Sequence, residues 1–267
     1  MSESRRPKPP ASLRAILPVA LIALYLPLVV MVAGSFLDLG GRESGLTSRW
    51  YEEVFNDPEL WASLGRSLLV ALGTAIVSTF FGLLGALALD RWDFWGKRSL
   101  QTLSLVSLML PELVLALSLL SWFSVLKLEL SLVTVTIAHV TLTLPFVILV
   151  IGARLKGLDR SFDDAAKDLG ATDVEVLKRV TLPLLKPSIV TAFLLAFLLS
   201  FDDFLVTFYT NGAGADTLPV RLYSLMKTGL SPKIQALSSI MLLVSIGLVV
   251  LLVKLRGIDD LMETEER

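Results

Sequence analysis

The chain has 267 residues, 54% of them hydrophobic, with a mean hydropathy of +0.72 and a formal net charge of −1. A soluble domain of this length would leave too much apolar surface in water, so the composition points to the membrane. The near-neutral charge gives no nucleic-acid signature, and the absence of cysteine excludes disulfides and thiol chemistry.

Six apolar runs are predicted to span the bilayer, over about 15–36, 63–89, 100–126, 131–153, 188–210 and 236–254, each near or above the roughly 20 residues that hydrocarbon requires. The first follows Arg5, Arg6 and Lys8 and ends in Ala33-Gly34-Ser35. It is longer than the apolar stretch of a cleaved leader and is expected to stay as a span. With the N-terminus inside, only Arg42, Arg49, Arg66, Lys127, Arg221, Lys227 and Lys233 fall outside, leaving 17 of the 24 Lys and Arg on the cytoplasmic side. Both termini are therefore expected to be cytoplasmic. The domains expected are an N-terminal tail, first span and outer loop (1–62), a core (63–254) containing a cytoplasmic loop (154–187), and a C-terminal tail (255–267).

The outer loop 37–62 carries Asp38, Glu43, Glu52, Glu53, Asp57 and Glu59 with Trp50, Tyr51 and Trp61. It reads as a solvated loop whose aromatics suit the interfacial belt. In the second span Thr74, Ser78, Gly82 and Ala86 recur every fourth residue, a small-residue stripe that lets another helix approach closely, within or between chains. A short basic loop, Asp90 to Ser99, follows.

Ionisable residues inside spans cost about 2.5–3.5 kcal/mol each on insertion scales and mark function by default. The third span has Glu112, directly after Pro111, and the fifth has Asp202 and Asp203. Counting residues from the cytoplasmic ends puts these sites within about 3 Å of the same depth. Three carboxylates at one level make a candidate cation site. On a continuous helix, Asp202 and Asp203 would point about 100° apart, so one lines the pathway while the other meets a partner group. A structural alternative has one acid paired with His139 of the fourth span, itself expected to be a packed, hydrogen-bonding histidine. Trp122, Phe123, Phe201, Phe204 and Tyr209 are candidate aromatic walls for a cation.

Between spans four and five lies a polar segment with its own helix signals. Ser161 with Asp164 reads as a capping box, reinforced by Asp163 at the positive helix end. Gly170 is placed to close that helix in a left-handed conformation, and Thr172 with Glu175 repeats the capping pattern for a second short helix. Pro183 and Pro187 punctuate the entry to span five. Ala165 and Ala166 beside the glycine turn allow close approach of a partner. After span five, Gly212, Gly214 and Pro219 precede a short outer helix marked by Val220, Tyr223 and Lys227.

The run Asp164-Ala165-Ala166, Gly170, Val180, Leu182 and Pro183 resembles the EAA loop of ABC-importer permeases, with Asp for Glu at 164 and Val for Ile at 180. That resemblance implies an all-α membrane protein of the type I ABC-importer permease fold, with six transmembrane helices. It implies a coupling helix seated in a separate ATPase, through Asp163, Asp164, Ala165, Ala166, Leu169, Gly170, Ala171, Leu182 and Pro183. No G-x-x-x-x-G-K-[ST] motif is present, as expected if the nucleotide belongs to a partner. Leu199-Ser200-Phe201-Asp202-Asp203, Gly212-Ala213-Gly214 with Thr217-Leu218-Pro219, and Gly229-Leu230-Ser231-Pro232 with Gln235-Ala236-Leu237 narrow the resemblance to permeases of spermidine/putrescine importers, of the kind encoded beside a paralogous second permease.

From the resemblance follow a multi-pass protein of the bacterial inner (plasma) membrane and a substrate site drawn from Glu112, Asp202, Asp203, Trp122, Phe201 and Tyr209. The implied partners are a homologous second permease in a heterodimer, two copies of a cytoplasmic ABC ATPase, an extracytoplasmic polyamine-binding protein and membrane lipid, with no nucleic acid. The chain itself would be no enzyme and hold no metal or cofactor, ATP and Mg residing in the ATPase. The same machine carrying another organic cation or an amino-phosphonate is the alternative. An ion-coupled secondary transporter would need no docking helix, and a scaffold or sensor would leave the three acids unexplained.

Overall fold

A computed structural model of the chain describes residues 11–38, 45–229 and 231–265. These fall into two compact units, one within Met1–Asp57 and Leu225–Leu242, the other within Pro58–Ser224 and Leu243–Arg267.

In the first unit, α1 (Ala11–Gly34) is followed by a two-stranded ladder, β1 (Leu37–Asp38) against β2 (Gly45–Leu46), and by α2 (Arg49–Phe55). The outer stretch is therefore more than a solvated loop. The Tyr51 hydroxyl meets Ser35 Oγ at 2.7 Å, and Trp50 Nε1 donates to the Leu37 carbonyl at 3.3 Å, so two of the expected interfacial aromatics fasten α2 to the residue after α1 and to β1. Lys233 Nζ bonds Asp57 Oδ2 at 2.8 Å.

In the second unit, α3 (Pro58–Arg91), α6 (Leu132–Gly157) and α9 (Leu182–Phe201) share an apolar core of Ala71, Ala75, Val147, Ile151, Leu185 and Ala196 with their neighbours. The stripe read from the sequence is the α3 face of this core. Thr74, Ser78, Gly82 and Ala86 are all buried. Ser78 Oγ and Thr143 Oγ1 lie 2.7 Å apart, and a Cβ on Gly82 would run into the Val147 side chain. The close approach is made within the chain.

The third predicted span is two helices, α4 (Lys97–Met109) and α5 (Glu112–Val125), bent by 112°. Pro111 forces the break, because it lacks an N–H and drives the preceding residue out of the helical region. Leu110 is accordingly extended, at φ −66° and ψ 133°. Among the described residues, four helices are long and apolar enough to cross a membrane, or five with the bent pair as one, and Pro18–Gly34 is a shorter apolar helix.

The inner loop, so called from the distribution of basic residues, forms α7 (Ser161–Asp168) and α8 (Asp173–Val176). A π turn (Leu177–Thr181) then joins α8 to α9. The prolines do not end the helix here. The Pro183 ring would crowd the Arg179 carbonyl four residues back, and the widened turn around Arg179 accommodates it, with the Leu182 N–H reaching back to the Leu177 carbonyl. The predicted fifth span stops at Phe201, and a separate α10 (Leu205–Thr210) follows. The expected outer helix is α11 (Leu218–Lys227), and the last helix, α12 (Pro232–Glu265), runs on through the segment expected as a tail.

Candidate functional site

The second unit contains two constellations that the sequence marked, one of acids at helix breaks and one at the inner loop.

The acids sit where regular structure stops. Glu112 is the first residue of α5, Asp202 caps the end of α9, and Asp203 precedes α10. This corrects the expectation of two adjacent acids on one continuous helix. The break is made by Asp203 itself. Its carboxylate accepts the N–H of Thr207 at 2.8 Å and of Val206 at 3.4 Å, starting a new helix where the old one would have continued. The same carboxylate accepts the Thr207 hydroxyl at 3.0 Å and lies 3.0 Å from His139 Nε2. His139, fully buried on α6, places Nδ1 2.6 Å from Ser200 Oγ and Nε2 2.9 Å from Thr207 Oγ1. The pairing of one acid with His139 is thus realised, and the acid is Asp203.

The Glu112 side chain lies beside that of Asp203. Two neighbouring carboxylates repel, so a proton or a cation between them favours such a pair. Glu112 is exposed while Asp203 is 6% exposed, so Glu112 forms the open edge of the pair. Asp202 points elsewhere, accepting from Ser245 Oγ of α12 at 3.1 Å on each oxygen. The structure therefore brings two of the three acids together and holds the third apart.

The aromatics divide likewise. Phe201 is 2% exposed and stacks on Phe197 in the core, with ring centroids 5.8 Å apart. Trp122 faces outward and leans on buried Phe123. Core packing thus claims Phe201, while Trp122 lies on an exposed helix face. Tyr209 packs against the smaller core formed by α5, α6 and α10. Phe204, next to Asp203, instead meets Tyr223 at 4.7 Å and Phe208 at 5.4 Å.

In the inner loop the sequence misplaced one cap. α7 has no capping box from Ser161 and Asp164; Asp159 Oδ1 accepts the Ser161 N–H at 2.9 Å instead. That bond holds the Asp159 carboxyl below its ordinary value. The helix ends in a Schellman motif, Gly170 N–H to Lys167 O at 2.8 Å and Ala171 N–H to Ala166 O at 3.1 Å. Gly170 has φ +88°, a conformation side chains rarely adopt. Thr172 and Glu175 form the expected capping box, and the Thr172 N–H draws the Glu175 carboxyl below its ordinary value. Lys167 Nζ bonds Asp173 Oδ1 at 2.9 Å, raising the lysine and lowering the aspartate.

Phe162, Leu169 and Val174 project outward from this hairpin, Leu169 with 90% of its surface free. Asp164 and Ala165 are exposed with them, as is Pro183 beyond the π turn, while Ala166, Ala171 and Leu182 are half-buried. Asp163 turns inward, to Arg91 Nη2 at 2.7 Å. The sequence reading missed Arg91, Ser200, Thr207 and Ser245 as partners. Arg91 entered it only as a basic residue, and nothing in the spacing links positions 72 apart in the chain.

Over residues 78–263 the chain matches the family described as binding-protein-dependent transport system inner membrane component. It is 39% identical over 230 residues to the spermidine/putrescine transport system permease protein PotC of Haemophilus influenzae, covering 85% of this chain and 90% of the relative. It is 35% identical over 228 residues to the putrescine transport system permease protein PotI of Escherichia coli K12, covering 82% of this chain and 81% of the relative. In fold it is similar to a bacterial ABC transporter involved in the import of the acidic polysaccharide alginate. That match has a TM-score of 0.68 at 18% identity, over 94% of this chain and 99% of the other.

Proposed function

Since the chain belongs to the family of binding-protein-dependent transport system inner membrane components, we propose that it is the permease subunit of an ATP-driven importer that carries polyamines, spermidine or putrescine, across the bacterial inner membrane. The observation that carries the choice of substrate class is the position of Glu112 beside Asp203 at the breaks that begin α5 and end α9. A polyamine brings two or more ammonium groups, each a donor to carboxylate, and a carboxyl pair that otherwise favours a proton between its oxygens accepts such a group in its place. Names of relatives that share most of the chain support the same class.

The division of labour in the acid cluster follows from burial. Asp203 is held by His139, Thr207 and the backbone, so its charge is fixed in position before any substrate arrives. Glu112, at the open edge, is free to exchange partners. Asp202 holds α9 to α12 through Ser245 and enters the pathway only by leaving that hydroxyl. Preorganised charge of this kind acts without reorganisation when the cation reaches it.

At the inner end, the α7–α8 hairpin offers Phe162, Leu169 and Val174 to a separate ATPase, with Asp164, Ala165 and Ala166 at the seat. ATP and Mg belong to that partner, present in two copies. A homologous second permease completes the pathway, and an extracytoplasmic binding protein delivers the solute. The chain moves solute and catalyses no bond change.

The test is to reconstitute the chain with its co-assembled subunits and measure ATP hydrolysis and uptake with binding protein and spermidine, putrescine or neither. Hydrolysis is expected to rise with either amine, and Glu112→Gln to reduce uptake by about tenfold, as loss of one charge-assisted bond predicts, with assembly retained. Unchanged uptake after Glu112, Asp202 and Asp203 are all neutralised removes the acids from the pathway. Stimulation by an amino-phosphonate but by neither amine replaces the substrate.

A further inference from the structure

Helix α3 is fastened to other elements at both of its ends, and neither fastening touches the acid pair. At the inner end its last two residues grip the start of α7 with crossed charges. Arg91 Nη2 bonds Asp163 Oδ2 at 2.7 Å, and Asp90 Oδ2 faces Arg160 Nη2 at 3.6 Å. The same Arg91 nitrogen donates to Thr181 Oγ1 of the π turn at 2.6 Å, so one guanidinium holds α7 and the approach to α9 together. The Arg91 and Asp163 side chains are only 22% and 27% exposed, which shields this pair from the solvent that weakens surface ion pairs. At the outer end, Arg66 Nη1 donates to the Asp216 carbonyl at 2.9 Å, and Ser67 Oγ accepts the Leu218 N–H at 2.8 Å, tying α3 to the segment that opens α11.

Packing alone does not fix α7. A cavity of about 510 Å³ lies against it, bordered by Trp92, Leu155, Phe162 and Leu177, so the hairpin has room to shift and is held across that space by side-chain bonds. α3 itself has no such slack. Gly82 sits against Val147, and Ser78 is bonded to Thr143. From Arg66 to Arg91 α3 is one uninterrupted helix, about 38 Å long at about 1.5 Å per residue.

We infer that Arg91 is the positioning residue that locks α7 to α3, and that α3 acts as a rod through which the inner hairpin and the segment opening α11 move together. This rests on the reading of the chain as an ATP-driven permease, and deepens it by naming the connection between the two faces. Without the clamp, closure of the ATPase pushes α7 into the adjacent cavity instead of moving α3. Without the outer tie, the rod moves and the outer segment does not follow. Arg91 meets no substrate, and its effect is on coupling.

The experiment uses the complete assembly in liposomes and reads two quantities. One is hydrolysis with spermidine-loaded binding protein relative to basal hydrolysis; the other is spermidine taken up per ATP hydrolysed. Arg91→Ala and Asp163→Ala are each expected to lower both by about tenfold, in the usual range of coupling between sites. The exchanged pair, Arg91→Asp with Asp163→Arg, recovers a substantial part of the loss, which two independent defects would not do. Arg66→Ala, at the far tie, lowers the same two ratios. Thr181→Val leaves the ion pair and gives a smaller loss in the same direction, which keeps the question answerable if Arg91→Ala does not assemble. A wild-type ratio in Arg91→Ala, or in Thr181→Val where Arg91→Ala fails to assemble, overturns the inference. So does an exchanged pair no better than either single variant, or a wild-type ratio in Arg66→Ala. A wild-type assembly whose hydrolysis answers to binding protein while no spermidine enters counts against the substrate alone, because the clamp is read from hydrolysis.

Discussion

His139 shows how much one buried side chain can organise. Both ring nitrogens are engaged, with Ser200 on α9 and with Thr207 and Asp203 beyond its end, so a residue of α6 fixes the break between α9 and α10. His139→Ala takes from Ser200 its side-chain partner and from Asp203 one of its several, leaving an unsatisfied interior group at a cost of about 1–3 kcal/mol. The expected outcome is a lower unfolding temperature in detergent and reduced spermidine uptake together. His139→Gln, which can still bond, should restore more of the stability than of the uptake. Equal stability of the alanine variant and the wild type would mean that the cluster does not hold the break.

At the scale of elements, the short helix α8 depends on its box. Glu175 accepts from the Thr172 N–H and hydroxyl, each at 2.9 Å, and this keeps its carboxyl below the ordinary 4.5. A lowered value in the folded loop means that the box contributes fully above pH 4.5 and loses its contribution as pH falls through the lower folded value. Backbone exchange at Glu175, whose N–H meets Thr172 Oγ1, should therefore stay protected at neutral pH and quicken under acid once intrinsic rates are removed. Glu175→Gln should show no such acid step; an identical step in that variant would place the titration elsewhere. Thr172→Ala should loosen the same amide at every pH, by about 1 kcal/mol.

Elements of this kind were legible because their causes are local. The Thr172 box, the Gly170 turn and the stripe ending at Ala86 all follow from residues three or four apart. The Pro111 break is half legible, since the proline stands in the sequence but the 112° bend it produces does not. The end of α9 at Phe201 was hidden, because the apolar run continues to Tyr209 and only the contact of Asp203 with Thr207 reveals a second start. Asp159 replaced Ser161 as the cap of α7 for a similar reason: two candidates lay two residues apart, and backbone geometry chose between them. The Arg91–Asp163 bond joins distant parts of the chain and has no periodic trace at all.

For the whole molecule, the acid cluster and the inner hairpin belong to one helical unit, as the proposed coupling between them requires. The most exposed large hydrophobic side chain of the hairpin is Leu169. The chain contains no cysteine, so Leu169→Cys gives a protein with a single thiol. In the full assembly that thiol should cross-link to a cysteine introduced in the groove of the ATPase, with a yield that changes when nucleotide binds. A Leu169→Cys chain that labels freely with a soluble maleimide in the intact assembly would place the hairpin in water and remove the motor from it.

The two helix breaks have a consequence for solvation. A lipid-exposed backbone cannot leave its N–H and C=O groups without partners, so a bilayer tolerates interrupted helices only beside protein or water. Here one interruption precedes Glu112 and another follows Phe201, and α10 packs on α5 across them. That region must therefore be shielded from acyl chains even before any solute is present. A desolvating ammonium group would find neutral carbonyl dipoles there as well as charge, and could shed its hydration shell in steps.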